Sequence, residues 1–149
     1  MAINPNTDFT AGAILTAAQQ NRFPRGVMSY TTHTSNVSFT GETTIITGNA
    51  FTAVANRYYK ITYFEPTITN TSAGYAVVKI KNGATVLNSC NSPQFNNDAA
   101  GYQSICIDVR TFSAGSVTLT ATLQSTGAGI AKATSTQFGF LLVEDIGPA

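Results

Sequence analysis

The chain has 149 residues, enough for one domain with an ordinary hydrophobic core. Only 10% of residues are charged, the net charge is +1 and 43% are hydrophobic, a balance that argues against disorder and against a phosphate-tracking surface. Thr, Ser and Asn carry the polar weight, which with 12 glycines suits many short strands and turns rather than long helices.

The basic residues are scattered rather than striped, so no nucleic-acid partner is expected. No apolar run approaches the roughly 18 residues of a membrane span, so no membrane partner is expected either. Met1 to Asn6 has neither a basic region nor an apolar core, unlike a secretion signal, and the expected site of assembly is a cytoplasm. Low charge near neutrality favours association over free solubility.

Residues 1–28 read as an N-terminal attachment arm and 29–149 as the body. Within the arm, Asp8 to Leu15 is extended. Thr16 then stands as N-cap of one short helical turn, with Gln19 three positions on to complete a capping box, and Pro24 and Gly26 end it. One turn cannot hold itself together, so Phe9, Ile14, Leu15 and Phe23 need a surface to lie on. That surface is either the end of their own sandwich or a neighbouring subunit or partner, and arm docking is the sharper expectation.

The body reads as strands. Val37–Phe39 precedes a turn at Gly41 and a strand Thr43–Thr47. Arg57 to Phe64 alternates, with Tyr59, Ile61 and Tyr63 on one face and Tyr58, Lys60, Thr62 and Phe64 on the other; Glu65–Pro66 ends or bends it. Tyr75–Lys81 and Ala84–Asn88 flank Asn82–Gly83, the signature of a type I′ hairpin, which would pair Lys81 with Ala84 and Val78 with Leu87. In Tyr102 to Phe112, Ile105, Ile107 and Val109 are expected inward, against Cys106, Asp108 and Arg110. Val117, Leu119, Ala121 and Leu123 alternate with threonines, and Gly127 to Lys132 reads as a flexible connection. The last strand, Gln137 to Glu144, is apolar on both faces: Phe138, Phe140 and Leu142 on one, Leu141 and Val143 on the other. Such a strand needs two covers, one of them from another copy of the chain. About eight strands with connections of mixed length predict an all-β, antiparallel jelly-roll sandwich.

Chemistry is hard to find. His33 is the single histidine, in a Thr/Ser stretch that reads as exposed, and no nucleophile elbow accompanies it. Asn96-Asn97-Asp98 has too few carboxylates for calcium. The expectation is no catalytic residue, no metal and no cofactor. Cys90 and Cys106 are either a disulfide or two free thiols.

Two segments carry a resemblance. Phe9-Thr10-Ala11-Gly12-Ala13-Ile14-Leu15-Thr16-Ala17-Ala18-Gln19-Gln20-Asn21 resembles the F/W-x-x-G-x-x-L-T-A-A-x-x-N segment of tailed-bacteriophage structural proteins. Val143-Glu144-Asp145-Ile146-Gly147-Pro148 resembles their V-E-D-I/L-G-P ending, and Pro24-Arg25-Gly26 matches the Pro-x-Gly that follows the first segment. Gln20 and Phe23 depart from the pattern, which bears on the docking partner. The resemblance covers about 30 residues. It implies a virion protein, of capsid decoration or head-appendage type, with a body similar to the TNF/C1q-like jelly roll. It also implies attachment to a phage capsid or tail protein through the arm and a homotrimer packed through aromatic sheet faces. Tyr58, Phe64, Phe138, Phe140, Leu141 and Val143 are the expected subunit interface. The competing expectation is a receptor- or glycan-binding module reading a host surface glycan through Tyr75, Tyr102 and the loop 91–101.

Overall fold

The computed structural model describes residues 12, 14, 16–71, 73–93, 95 and 101–149. A single helical turn, α1 (Ala17–Gln20), precedes β1 (Gly26–His33), β2 (Val37–Thr47), β3 (Phe51–Ala53) and β4 (Arg57–Asn70). There follow β5 (Val77–Asn82), β6 (Thr85–Asn91), β7 (Tyr102–Thr111), β8 (Gly115–Val117), β9 (Leu119–Ala131) and β10 (Gly139–Pro148). At α1 the Thr16 hydroxyl accepts from the Gln19 N–H at 3.2 Å, and the Gln19 side-chain oxygen accepts from the Thr16 N–H at 2.9 Å.

The long strands form two antiparallel layers, β1-β10-β4-β7 and β2-β9-β5-β6. The layers join where Ile68–Asn70 at the end of β4 pair with Gly129–Ala131 at the end of β9. Each layer draws strands from both halves of the chain, the interleaving of a jelly roll. Tyr59, Ile61, Tyr63, Leu141 and Val143 of the first layer meet Val78, Ile80, Ala121 and Leu123 of the second in one core. β3 and β8 add a short pair that brings Phe51 and Val117 to its end.

Several strands run further than the sequence suggests. β2 passes through Gly41, whose φ of 68° absorbs a bulge rather than a turn. β4 continues past Pro66 to Asn70, because the ladder to β7 shifts register between Glu65 and Ile68 and no N–H is required of the proline there. Residues 127–131 are strand rather than flexible connection: Gly129 lies against the Phe39 ring and pairs with both β2 and β4. The β5–β6 hairpin turns one residue later than the Asn-Gly reading, at Gly83–Ala84, pairing Asn82 with Thr85. Positive φ falls on Gly83 and not on Asn82, as a type II′ turn requires, and a bulge opposite Ile80–Lys81 then brings Cys90 across from Val78.

β7 inverts the expected facing. Cys106 pairs with Tyr63 and Arg110 with Tyr59, so Cys106 is buried while Ile105, Ile107 and Val109 are 53, 44 and 47% exposed. β7 is the margin of its layer, and there Asp108 and Arg110, both half-buried, bond to each other beside β6.

Candidate assembly surface and arm clasp

The outward side of the first layer carries three cross-strand rows. Tyr30, Leu142, Thr62 and Ile107 form one; Thr32, Phe140, Phe64 and Ile105 form the next; Val27, Glu144, Lys60 and Val109 form the third. The rings interlock along them, Tyr30 to Phe140 at 5.9 Å and Phe64 to Phe140 at 5.5 Å. Tyr58 continues the face at one end. At the other, Phe138 joins Phe64, Phe140, Pro66, Gln103 and Gln137 around a hollow of about 280 Å³. The only charges in the rows, Lys60 and Glu144, lie 3.6 Å apart and cancel, leaving the face neutral.

Val27 and Tyr30 are also 61 and 47% exposed. With the three β7 residues they leave on the order of 500 Å² of side chain open, before the half-buried rings are added. A typical monomer's largest apolar patch is about 300–600 Å², and one partner's share of a standard interface is about 800 Å². These five side chains alone match the largest patch of a typical monomer, and the half-buried rings extend it toward one partner's share of an interface.

The residues expected at a subunit interface divide here. Tyr58, Phe64, Phe138 and Phe140 lie half-buried on the outward side. Leu141 and Val143, each 1% exposed, lie inside the chain's own core. Alternation puts them beneath the sheet, and the second layer already covers them. Ile105, Ile107, Val109, Val27 and Tyr30 share the outward side, although they are not among the residues expected at an interface. Their alternation was legible in β7, but its sense was not.

A second feature joins the two ends of the sequence. Arg57, buried at the start of β4, donates from Nε and Nη2 to the two carboxylate oxygens of Asp145 at 2.5 and 2.7 Å. Its Nη1 donates to the Asn21 carbonyl and Nη2 to the Phe23 carbonyl, both at 2.5 Å. Asp145 also accepts from the Gly147 N–H at 3.0 Å, at a bulge that Gly147, with φ 119°, makes possible. The V-E-D-I-G-P segment and the end of the T-A-A-x-x-N segment are thus two sides of one clasp. Among the expected docking residues, Ile14 is 91% exposed and Phe23 is 40% exposed. Phe9 and Leu15 lie outside the described residues, as do Asn96–Asn97–Asp98.

His33 is not exposed as its surroundings suggest. Its Nε2 lies 2.8 Å from Oε2 of the fully buried Glu65, which also accepts from the Tyr63 hydroxyl at 2.9 Å. Its Nδ1 faces the Ser35 carbonyl at 3.2 Å, so neither ring nitrogen is left to activate a serine. Gly139 makes room: a Cβ there would overlap the imidazole and come within 3.0 Å of Glu65. Burial works to lower the His33 pKa, but the hydrogen bond and charge of Glu65, with the Ser35 carbonyl, outweigh it and hold the group above its ordinary 6.5. Burial, with the facing carboxylate, pushes the Tyr63 hydroxyl well up.

Of the expected glycan contacts, Tyr75 is 53% exposed and lines a cleft of about 290 Å³ with Gly74, Val77, Gln124, Ser125 and Thr126. Tyr102 instead packs edge-on against the buried Phe95, with centroids 5.3 Å apart. Cys90 and Cys106 are free thiols. Among the described residues no group of three His, Cys, Asp or Glu side chains is placed to hold a metal.

No protein family and no curated protein matches the sequence. Among solved structures, a carbohydrate-binding module of lichenase 5A from Cellvibrio mixtus, in complex with cellotriose, is 13% identical with a TM-score of 0.43, covering 86% of this chain and 93% of that one. Dimeric latent PorU from Porphyromonas gingivalis is 12% identical with a TM-score of 0.47, covering 93% of this chain but only 14% of that one. The C-terminal carbohydrate-binding module of the laminarinase LamC from Zobellia galactanivorans is 14% identical with a TM-score of 0.35, covering 79% and 98%. These are likenesses of β-sandwich fold at low identity.

Proposed function

We propose that the chain is a non-enzymatic bacteriophage virion structural protein, of capsid decoration or head-appendage type, assembling in the host cytoplasm. It docks on a capsid or tail protein through residues 1–28 and packs with copies of itself, as a homotrimer, through the outward face of β1-β10-β4-β7. The observation that carries the reading is that face. Three rows of side chains, apolar but for one ion pair and the threonines, lie on the side of the layer away from the core that takes up Leu141 and Val143. The clasp supports the other half, because it fixes where the arm leaves the body while Ile14 stays open to a partner. The test is binding to emptied capsids, with and without residues 1–15, a deletion that spares the clasp. Binding that is lost with the arm supports the reading, and equal binding by both forms contradicts it.

A second reading, a glycan-binding module, is favoured by the cleft at Tyr75. There an exposed ring stands over a cleft lined also by Gln124 and Thr126, a stacking surface with polar groups at its edge. A glycan array probed with the intact chain and with Tyr75→Ala separates the two. A signal lost in the variant favours the module, and no signal from either favours assembly.

A further inference from the structure

The two layers of the sandwich meet at one side along β6 and β7, which are the margins of their sheets. Contacts along this seam run from side chain to main chain. The Cys90 thiol donates to the Ile105 carbonyl at 3.3 Å, Asn88 donates to the Ile107 carbonyl at 2.6 Å, and Arg110 donates to the Leu87 carbonyl at 2.6 Å. Cys90, half-buried on β6, pairs with the buried Val78, and Cys106 on β7 with the buried Tyr63, so both thiols face inward at this seam. The Cys90 sulfur reaches the carbonyl of Ile105, the residue next to Cys106.

We propose that Cys90 and Cys106 are an oxidation site that staples the two layers when the protein meets a low-molecular-weight disulfide. The order of events follows from access. Cys90 is the thiol that solvent reaches, and its thiolate attacks one sulfur of the small disulfide, forming a mixed disulfide and expelling one small thiolate, which takes up a proton. Cys106 then attacks the Cys90 sulfur and expels the second small thiolate, which takes up the proton that Cys106 gives up. Two protein thiols are oxidised by two electrons, and one small disulfide is reduced to two thiols.

The microenvironment agrees with that order. The neighbouring Cys106 thiol lowers Cys90 to about 7, making it the nucleophile near neutral pH, while the facing Cys90 and burial push Cys106 up. In a reducing cytoplasm both thiols persist; the moment of oxidation, on release of particles, rests on the virion reading, whereas the chemistry does not.

The experiment incubates the native chain with oxidised glutathione and reads free thiols, intact mass and melting temperature. The expected result is loss of both thiols with a mass lower by two hydrogens and no attached glutathione. Mobility on a non-reducing gel stays that of a single chain, and the melting temperature rises by on the order of 10 °C, from closing a loop of about 15 residues. Cys106→Ser is expected to stop at a glutathione adduct on Cys90, and Cys90→Ser to remain unmodified while folded. Two free thiols after treatment, a stable adduct on the native chain, or cross-linked dimers would each overturn the proposal. Solution mass, read on the same samples, reports on self-assembly separately.

Discussion

Asp145 grips Arg57 through both carboxylate oxygens, and Arg57 donates two further hydrogen bonds to the carbonyls of Asn21 and Phe23. One buried guanidinium therefore ties the first described turn of the chain to its last strand. Removing a single partner strands the other charge in the interior, which costs about 3–5 kcal/mol. Asp145→Asn and Arg57→Met are each expected to lower the urea midpoint strongly, and the double variant to lose less than the sum of the two. Trypsin supplies a second readout. Cleavage after Arg22 or Arg25 is expected to accelerate in Arg57→Met, because the segment is no longer held.

His33 and Glu65 give stability a pH dependence of definite sign. The folded state holds the His33 pKa above 6.5, so the protonated pair stabilises fully below that value and the contribution is lost as pH rises through the folded-state pKa. Melting curves of the native chain and of His33→Gln should differ most at mildly acid pH and converge in alkali. A difference that grows with pH would contradict the assignment. At the acid extreme Glu42 works the other way. Hydrogen bonds from Lys79 and Lys81 lower its pKa to about 2, so its contribution is present above 4.5 and lost as pH falls toward 2.

Gly129 is a packing requirement rather than a turn. A Cβ there would lie 2.7 and 2.8 Å from two carbons of the buried Phe39 ring. Gly129→Ala is expected to destabilise by about 1–3 kcal/mol through overpacking. Combining it with Phe39→Leu, which withdraws the ring, should recover part of that loss in denaturant unfolding.

Much of the architecture was legible in the residues, because period-2 alternation is written plainly in β4 and β9. Tyr59, Ile61 and Tyr63 face the core, as do Val117, Leu119, Ala121 and Leu123. β7 was legible in period and illegible in sense. Its apolar set looks like core to any reader who assumes that a single chain hides its apolar side chains. The pairing of Tyr63 with Cys106 fixes the opposite outcome. Leu141 and Val143 illustrate the same limit from the other side, since a strand apolar on both faces does not say which face its own second layer takes. The clasp could not be read at all. Arg57 and Asp145 are 88 residues apart, and only the β10–β4 register brings them together. The His33–Glu65 pair was hidden likewise, by a Thr/Ser neighbourhood that suggested exposure and a β1–β10–β4 order that denies it.

The outward face is tested most directly by molar mass in solution, from light scattering on the full chain and on an Ile105→Lys/Ile107→Lys variant. Both changed side chains already stand in solvent, so the variant should keep the fold and its circular dichroism. The expected result is a mass of three chains of 15.7 kDa each for the native protein, falling to one chain in the variant. A native chain that scatters as a single 15.7 kDa particle at micromolar concentration would contradict the assembly role.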